Sequence, residues 1–296
     1  MKDLIPKIQR KPAWLKRKIP GGPVYQDMRR ILGQGQLHTV CQEALCPNMG
    51  ECFSHSTATF LILGDHCTRN CRFCAVRHGT PKPIDFREPE HVAEAAQKMG
   101  LKYVVITSVT RDDLADGGAS HFAETISAVR RRLTEAKVEV LIPDLQGNWN
   151  ALQKIITAKP DVLNHNLETV SRLYADVRPQ AVYQRSLELL RQVRHLDAAL
   201  PAKSGLMLGL GEEAKEIEQT LQDLLEAGCT QLSMGQYLQP SPKHLPIQRF
   251  VTPDEFENWK SKALEMGFTK VASGPLIRSS YQARELQQSD SGGVGP

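Results

Sequence analysis

Long hydrophobic runs are absent from this chain of 296 residues. No apolar stretch approaches the roughly 18 residues that a membrane-spanning helix needs. The basic segment 1–18 lacks the apolar centre of a secretory signal, and it contains no serine, a residue in which transit peptides are rich. We therefore expect a soluble protein of the cytoplasm.

Cysteine is scarce through most of the chain, since six of its seven cysteines lie between Cys41 and Cys74. A secreted scaffold built on disulfides is normally shorter and spreads its cysteines more evenly. The clustering predicts metal binding in a reducing compartment. Cys229 stands alone in an apolar context, and free cysteine is among the residue types most often buried, so we expect it in the core.

Acidic residues are few at the N-terminus. Residues 1–30 carry a net charge of +7, and because the whole chain carries +4, the remainder carries −3. A basic arm on a near-neutral body indicates steering toward an acidic partner, and the alternative is a solvated tail. Nucleic acid is not favoured as a partner, because only Trp14 and Tyr25 supply aromatic rings in the arm.

Three thiols lie within eight residues, at Cys67, Cys71 and Cys74, in the spacing C-x3-C-x2-C. Thiols this close together can converge on one metal centre from a single loop. A cubic iron–sulfur cluster normally takes four cysteine ligands, so three thiolates leave one iron free to bind a small molecule. The alternatives are a zinc knuckle, a disulfide with a spare thiol, or chance. Zinc sites usually show two separated Cys/His pairs, and no second C-x2-C occurs.

A second set of thiols, Cys41, Cys46 and Cys52, has the spacing C-x4-C-x5-C. Alone, this spacing favours metal over free thiols only moderately. Beside the first set the indication becomes strong, because the two spacings differ and neither set completes the ligand count of the other.

Apolar runs typical of strands alternate with amphipathic helical patterns from residue 59 onward. The predicted strands are 59–63, 103–107, 138–142, 162–164, 205–208 and 232–234, and the helical patterns cover about 89–99, 122–133, 217–225 and 253–266. Six β/α units in series predict a parallel sheet with right-handed crossovers. Because a seventh and an eighth complete unit are missing, a partial barrel is favoured over a closed one. The C-x3-C-x2-C loop follows the first strand, at the edge where barrel folds assemble their active sites.

The chain divides into three predicted segments. Residues 1–58 form an N-terminal extension that carries the second thiol set. Residues 59–250 form the partial barrel. Residues 251–296 form a C-terminal extension with the motif R-S-S-Y at 278–281 and a tail whose composition predicts disorder.

Taken together, these motifs resemble those of the lipoyl synthase family of radical S-adenosylmethionine (SAM) enzymes. The resemblance runs from about residue 12 to residue 283 and includes the segments 41–48, 67–74, 107–114, 164–169, 205–212 and 278–281. The C-x4-C-x5-C set joined to a terminal R-S-S-Y is highly specific to this family, whereas the C-x3-C-x2-C loop is shared by very many enzymes.

The resemblance implies an α/β fold, a partial (β/α)6 barrel of the radical SAM type with N-terminal and C-terminal extensions. It also implies a sulfurtransferase that inserts two sulfur atoms at carbons 6 and 8 of an octanoyl chain already linked to a lysine of a carrier protein. Those carbons have no acidic proton for acid–base catalysis, so a cofactor must supply radical chemistry. The alternative is another two-cluster radical SAM enzyme that inserts sulfur into a free small molecule. An iron–sulfur electron carrier or a zinc-stabilised module is disfavoured by the size of the β/α core.

The implied cofactors are two 4Fe–4S clusters and SAM. Cys67, Cys71 and Cys74 would hold the cluster that binds SAM. The second cluster, which would supply the sulfur, has as its implied ligands Cys41, Cys46, Cys52 and a serine of R-S-S-Y, with Ser280 favoured over Ser279.

Four residues are implied contacts of SAM. The backbone of Phe73 would meet the adenine, and Asn166 and Glu168 would grip the ribose and neighbouring polar groups. Arg185 would pair with the SAM carboxylate. Arg178 competes for that role, although a lone arginine on a helix more often lies on a solvated face.

The implied partners are octanoylated lipoyl carrier domains, namely the E2 subunits of 2-oxoacid dehydrogenase complexes and the H protein of glycine cleavage. A reductant such as ferredoxin or flavodoxin would supply electrons. Neither nucleic acid nor a membrane is expected as a partner.

Overall fold

A computed structural model describes residues 10–16, 21–54 and 58–281, together with Ala283 and Gln287. The first nine residues of the basic arm lie outside the described residues. So does the segment 289–293, for which the composition predicts disorder. In the described chain, the strands are β1 (His38–Thr39), β2 (Thr59–Ile62), β3 (His66–Cys67), β4 (Arg77–His78), β5 (Tyr103–Ser108), β6 (Lys137–Leu141), β7 (Val162–Asn164), β8 (Ala202–Leu208), β9 (Gln231–Gln236) and β10 (Lys270–Gly274).

Ten helices accompany these strands in the described ranges. They are α1 (Pro23–Gln34), α2 (Val40–Glu43), α3 (Met49–Ser54), α4 (Glu88–Lys98), α5 (Ala119–Arg132), α6 (Trp149–Thr157), α7 (Tyr174–Val177), α8 (Tyr183–Leu196), α9 (Ala214–Glu226) and α10 (Pro253–Met266). Short 3-10 turns occur at Ala13–Leu15, Leu145–Gly147 and Ser171–Leu173. No helix in the ranges just given is both long and apolar enough to cross a membrane.

Eight of the strands form one sheet in the order β1-β2-β5-β6-β7-β8-β9-β10. All six predicted strands occur in it and pair in parallel in chain order, which confirms the predicted barrel. The short strand β1 adds to one edge in antiparallel orientation, and β10 adds to the other in parallel. Since β1 and β10 end the sheet without pairing to each other, the barrel is open.

Strand β10 is a seventh parallel strand that the sequence patterns did not predict. It belongs to the segment assigned to the C-terminal extension, yet it pairs with β9 along its whole length, from Lys270 opposite Gln231 to Gly274 opposite Gly235. Its sequence is KVASG, and Val271 is its one fully buried position. A strand with so little apolar side chain gives no alternating or continuous hydrophobic signal.

Helix α10 matches its prediction because its end signals are strong. The hydroxyl of Thr252 accepts a hydrogen bond from the backbone N–H of Glu255 at 3.2 Å, and Pro253 occupies the first turn. Gly267 ends the helix in the left-handed conformation, with φ of 118°. Each of these features is favoured at the helix end where it occurs.

The core lies between the inner strands and the helices outside them. Strand β2 is buried at all four of its residues and β5 at five of six, as expected for parallel strands covered on both faces. Cys229 is fully buried, which confirms that it is a core residue. Because the parallel strands end at one edge, the loops that follow them meet there.

Candidate active site

The C-x3-C-x2-C loop leaves the carboxyl end of β2 and is held by the loop that follows β5. The backbone N–H of Thr110 donates to Sγ of Cys67 at 3.2 Å, and that of Arg69 donates to the same sulfur at 3.4 Å. The hydroxyl of Thr68 donates to the carbonyl of Thr110 at 3.0 Å and accepts from the N–H of Asp112 at 3.1 Å. These contacts hold Cys67 and the start of its loop against the loop that follows β5.

A buried ion-pair network fixes the middle of the same loop. Arg69 donates to both oxygens of Asp112, at 2.6 and 2.9 Å, and to Oδ1 of Asp144 at 2.6 Å. The side chain of Asp144 is fully buried. Burial alone would raise the pKa of Asp144, but the hydrogen bond and charge of Arg69 lower it to about 2. The arginine between Cys67 and Cys71 is thus an anchor of the loop.

The three thiols of this loop are half-buried neighbours. Burial, with the charges of Cys71 and Cys67, raises the pKa of Cys74 to about 12. The pKa of Cys71 is also raised by burial, while the charge of Arg178 opposes the rise. Thiolates crowded in this way become stable when a metal centre replaces their protons.

The donor set fits an iron–sulfur cluster better than a single ion. Within the part of the chain that the structure describes, no three His, Cys, Asp or Glu side chains are arranged to hold one metal ion. In a cubic cluster the thiolates bind different irons, so the thiols stand apart. Three thiols on one loop, with no fourth cysteine in the C-x3-C-x2-C motif, match the ligand count of a cluster that keeps one iron open.

Both thiol sets reach one cavity of about 330 Å³ at the carboxyl edge of the sheet. Cys74 of the first set and Cys41 and Cys46 of the second contribute to its lining. The predicted site residues that line it are Phe73, Asn166, Glu168, Ser279 and Ser280. Most of the remaining wall is apolar, with side chains from β8, β9 and the N-terminal extension.

Asn166 and Glu168 follow β7 and are held rigidly at the cavity wall. The amide of Asn166 donates to Glu168 at 2.9 Å and contacts the hydroxyl of Ser279 at 2.7 Å. Glu168 has a φ of 68°, unusual for a residue other than glycine. Its backbone is pinned by bonds to the carbonyl of Gly205 at 2.9 Å and from the N–H of Met207 at 2.8 Å. Burial raises the pKa of the Glu168 carboxyl. Strained backbone that neighbouring strands enforce is typical of a binding site.

The second thiol set lines a smaller cavity of about 20 Å³, together with Ser280. Burial, with the charges of neighbouring thiols of the set, raises the pKa of Cys41 and of Cys52 to about 12. Ser279 is turned away from this cavity toward Asn166. Of the two serines in R-S-S-Y, the structure therefore brings Ser280 to the three thiols.

The C-terminal segment that carries Ser280 contacts the N-terminal extension directly. The amide of Asn48 donates to the carbonyl of Leu276 at 2.6 Å. The hydroxyl of Tyr281 donates to Glu51 at 2.6 Å. These bonds join two residues that lie between Cys46 and Cys52 to residues on either side of Ser280.

The barrel interior supports the same segment from below. Lys203, on β8, is 1% exposed and donates to Glu139 at 2.9 Å and to the carbonyl of Ser279 at 2.6 Å. Strand β9 passes so close that a Cβ at Gly235 would lie 2.0 Å from the carbonyl oxygen of Ile277. Glycine is required there by backbone contact.

The two candidate arginines occupy different surroundings. Arg185 is near the start of α8, is partly exposed and lies 3.4 Å from Asp144. Arg178 follows α7 and is buried, so the expectation of a solvated face for it is wrong. Burial is achieved by packing against Tyr174, whose ring centroid lies 5.4 Å from the guanidinium carbon. Neither arginine is among the described residues that line the cavity.

Comparison with known proteins agrees with this geometry. A profile of the Radical SAM superfamily matches residues 61–224, and a profile of the N-terminal domain of lipoyl synthase of the Radical SAM family matches residues 5–46. Crystal structures of methylornithine synthase and of HydG, a maturase of the FeFe hydrogenase, share the fold with TM-scores of 0.56 and 0.58 at 14% and 17% identity. These likenesses cover 71% of this chain, and 62% and 50% of those chains respectively.

Curated relatives decide the family. A lipoyl synthase of Desulfotalea psychrophila is 58% identical over 93% of this chain and 92% of its own length. One of Nitrosococcus oceani is 55% identical over 93% of this chain and 85% of its own. The chain belongs to the lipoyl synthase family. As a member of this radical SAM family it is an enzyme of lipoate biosynthesis, and the family implies a 4Fe–4S cluster and SAM as cofactors.

Several side chains that support this lipoyl synthase site were missed from the sequence. Three charged residues lie inside apolar strands or shortly after one, namely Glu139, Lys203 and Asp144. A charge in such a run signals a buried pair, because an unpaired charge is rarely buried. The pairing partners, Arg69 and the carbonyl of Ser279, come from distant segments that no local pattern connects.

Proposed function

We propose that this enzyme inserts two sulfur atoms, at carbons 6 and 8, into an octanoyl chain linked to a lysine of a carrier protein. The observation that carries the proposal is the shared cavity. Its lining includes Cys74, Asn166 and Glu168 together with Cys41 and Cys46 of the second thiol set. A substrate carbon held there is within reach of groups bound at either thiol set.

The first side of the cavity is the proposed SAM site. Cys67, Cys71 and Cys74 would hold the cluster, and Phe73, Asn166 and Glu168 would contact SAM. Arg185 or Arg178 would face the SAM carboxylate, because a guanidinium forms strong charge-assisted hydrogen bonds with a carboxylate. Together, the cluster and SAM supply hydrogen-atom abstraction from unactivated carbon.

The apolar wall supports an alkyl substrate. Its side chains include Leu206, Met207, Tyr237 and Leu238. These groups bind an acyl chain by excluding water from it. The contribution of the protein itself is to orient the substrate and to exclude water from it.

The second side is the proposed site of a second 4Fe–4S cluster, which is a substrate of the reaction. Cys41, Cys46 and Cys52 would hold three irons, and the hydroxyl of Ser280 would face the fourth. A hard oxygen ligand is an odd choice for iron that only transfers electrons. It suits an iron whose ligand must leave when a bridging sulfide is taken into product. Each octanoyl chain needs two hydrogen abstractions, and therefore two SAM molecules.

The proposed partners are octanoylated E2 subunits and the glycine-cleavage H protein, with ferredoxin or flavodoxin as reductant, in the cytoplasm. The basic arm supports an acidic carrier, because its residue Lys11 is exposed and lines the cavity. We expect association to slow steeply with ionic strength, since the Debye length is roughly 8 Å at physiological salt. Deleting residues 1–11 should weaken carrier binding in stopped-flow measurements and leave SAM cleavage intact. A rate that neither salt nor the deletion changes would show the arm to be passive.

Isotope labelling tests the sulfur source. Enzyme reconstituted with heavy sulfide is incubated anaerobically with SAM, reductant and an octanoylated carrier domain, and the carrier is analysed by mass spectrometry. Heavy sulfur is expected at both carbons, with at most one lipoyl group per chain until the cluster is rebuilt. Light sulfur in the product, or many turnovers without a sulfide donor, would contradict the proposal. Parallel reactions with free octanoate test whether a free small molecule is the substrate instead.

A further inference from the structure

Arg178 is a buried cation without a carboxylate partner among the described residues. Its side chain is 9% exposed. One guanidinium nitrogen donates to the carbonyls of Asn166 and Leu167, at 2.8 and 3.2 Å, and to the hydroxyl of Tyr174 at 3.0 Å. All three acceptors are neutral. Buried charges in proteins are normally paired or bound to a metal centre, so this cation requires an anion.

The nearby carboxylates do not pair directly with Arg178. Asp144 is paired with Arg69 at 2.6 Å. Glu168 accepts from Asn166 at 2.9 Å, and its charge acts on Arg178 without an ion pair between the two among the described residues. His165 is also buried close by, and its ring is neutral, because burial and the charge of Arg178 lower its pKa to about 4.

The remaining neighbour is Cys71, a thiol of the C-x3-C-x2-C loop. The backbone N–H of Arg72, the residue after Cys71, donates to the carbonyl of Val177, the residue before Arg178, at 3.0 Å, so the two segments lie side by side. Burial raises the pKa of the Cys71 thiol, and the charge of Arg178 opposes the rise. Nε of Arg178 has no hydrogen-bond partner within the described chain. The guanidinium carbon lies 5.4 Å from the ring centroid of Tyr174, and the side chain is buried.

We propose that Arg178 is the counter-charge of the SAM-binding cluster and that it makes this cluster easier to reduce. An oxidised 4Fe–4S core held by three thiolates carries a net negative charge, and one electron from a reductant makes it more negative. A fixed positive charge beside one thiolate stabilises the reduced form more than the oxidised form. The inference rests on the three thiols of the loop as ligands, and it is independent of the source of sulfur.

Potentiometry of the cluster without SAM tests the proposal. The full chain, with Cys41, Cys46 and Cys52 each changed to Ala so that one cluster remains, is reconstituted and titrated under electron paramagnetic resonance. Arg178→Gln is expected to shift the reduction equilibrium toward the oxidised form about tenfold, which is about 59 mV for one electron. Arg178→Lys keeps the charge and is expected to shift it by less than about threefold. Arg172→Gln is the matched control, because Arg172 is exposed and pairs with Glu216.

Three outcomes would overturn the proposal. An unchanged SAM-free potential in Arg178→Gln, together with weaker SAM binding, would make Arg178 a ligand of SAM alone. Equal shifts of the reduction potential in Arg178→Gln and Arg178→Lys would show that the shape of the arginine side chain matters and its charge does not. A parent chain that holds no iron would remove the ligand assignment. If Arg178→Gln loses its iron while Arg178→Lys keeps it, the charge role is supported. The same titration in the chain with all cysteines intact checks that folding is preserved.

Discussion

The two thiol sets of this protein are held by different kinds of contact. Cys67, Cys71 and Cys74 lie on one loop whose partners come from the neighbouring strand ends of the barrel. The site of Cys41, Cys46 and Cys52 is closed by hydrogen bonds to residues 228 and 230 positions further along the chain. The first set depends on the barrel, and the second depends on docking of the C-terminal segment.

The difference suits the two proposed uses. A cofactor that acts in every turnover benefits from a site built into a rigid sheet, since small displacements lower rates strongly. A cluster that is consumed must be rebuilt, and a site completed by a docked segment can open without unfolding the core. The predictions that follow test whether the two sites separate in this way.

The largest expected effect is a division of labour between cysteines. Cys71→Ala should lose about four irons and all formation of 5′-deoxyadenosine, because two thiolates anchor a cubic cluster poorly. Cys46→Ala should also lose about four irons, yet it should still cleave SAM while making no lipoyl product. Iron and sulfide counts with chromatography of the nucleoside measure both effects.

Cys229→Ala is the control for this pair, because Cys229 lies outside both sets and is buried in the core. It should keep both clusters, about eight irons in all, and full activity. SAM cleavage that survives Cys71→Ala would show that the C-x3-C-x2-C loop does not hold the cluster that binds SAM.

The second prediction concerns the rigidity of the first site. Arg69→Met leaves Asp144 as a buried charge without its main partner, and breaking such a pair lowers the free energy of unfolding by about 3–5 kcal/mol. Urea unfolding of the metal-free chain measures the loss. Arg77→Met is the matched control from the same region, since Arg77 is exposed and pairs at 3.4 Å with Asp65, and it should lose no more than about 1 kcal/mol. Equal losses in the two variants would contradict a special role for Arg69.

The same pair sets a pH dependence. The pKa of Asp144 is lowered from 3.8 to about 2 in the folded chain, so its pairing stabilises the fold fully above pH 3.8. That stabilisation is lost as the pH falls toward 2 and the carboxylate is protonated. The stability difference between the parent and Arg69→Met should therefore shrink below pH 3.8. A difference that is constant with pH would rule out this carboxylate as the cause.

How far the sequence predicts this site follows from the same comparison. Cys67, Cys71 and Cys74 are close in sequence, so spacing alone indicates a shared centre. The strands and helix α10 are also predicted, because apolar runs and end signals are local. Strand β10 and the buried partners of Lys203 and Arg69 are not, because contacts between distant segments leave no local pattern.

The third prediction separates the serines of R-S-S-Y. Ser280→Ala should lose iron from the second set while SAM cleavage continues, because Ser280 lines the cavity of the three thiols. Ser279→Ala should keep that iron and weaken SAM binding, because Ser279 contacts Asn166 at 2.7 Å and helps to orient it. Iron counts and equilibrium dialysis of SAM distinguish the two. Iron loss confined to Ser279→Ala would reverse the assignment.

The smallest expected effect tests the docking contact itself. Tyr281→Phe removes the hydroxyl that donates to Glu51 at 2.6 Å and leaves the ring in place. A hydrogen bond to a charged group contributes about 1.5–3 kcal/mol when it is buried, and this pair is only partly buried, so a lower value is expected. The contact closes the second site, so we expect its loss to cost about 1 kcal/mol of closure free energy. Iron should therefore leave that site a few times faster in the presence of a chelator.

The first thiol set supplies the internal reference for this experiment. Iron of the C-x3-C-x2-C loop should leave Tyr281→Phe at the parent rate, because its contacts come from the barrel. Tyr25→Phe is the control for the loss of a tyrosine hydroxyl from the same part of the molecule, since the ring of Tyr25 packs 5.6 Å from that of Phe53. A double-mutant cycle with Glu51→Gln isolates the pairwise coupling. If both clusters lose iron faster in Tyr281→Phe, the two sites are not independent, and the C-terminal segment stabilises the barrel as a whole.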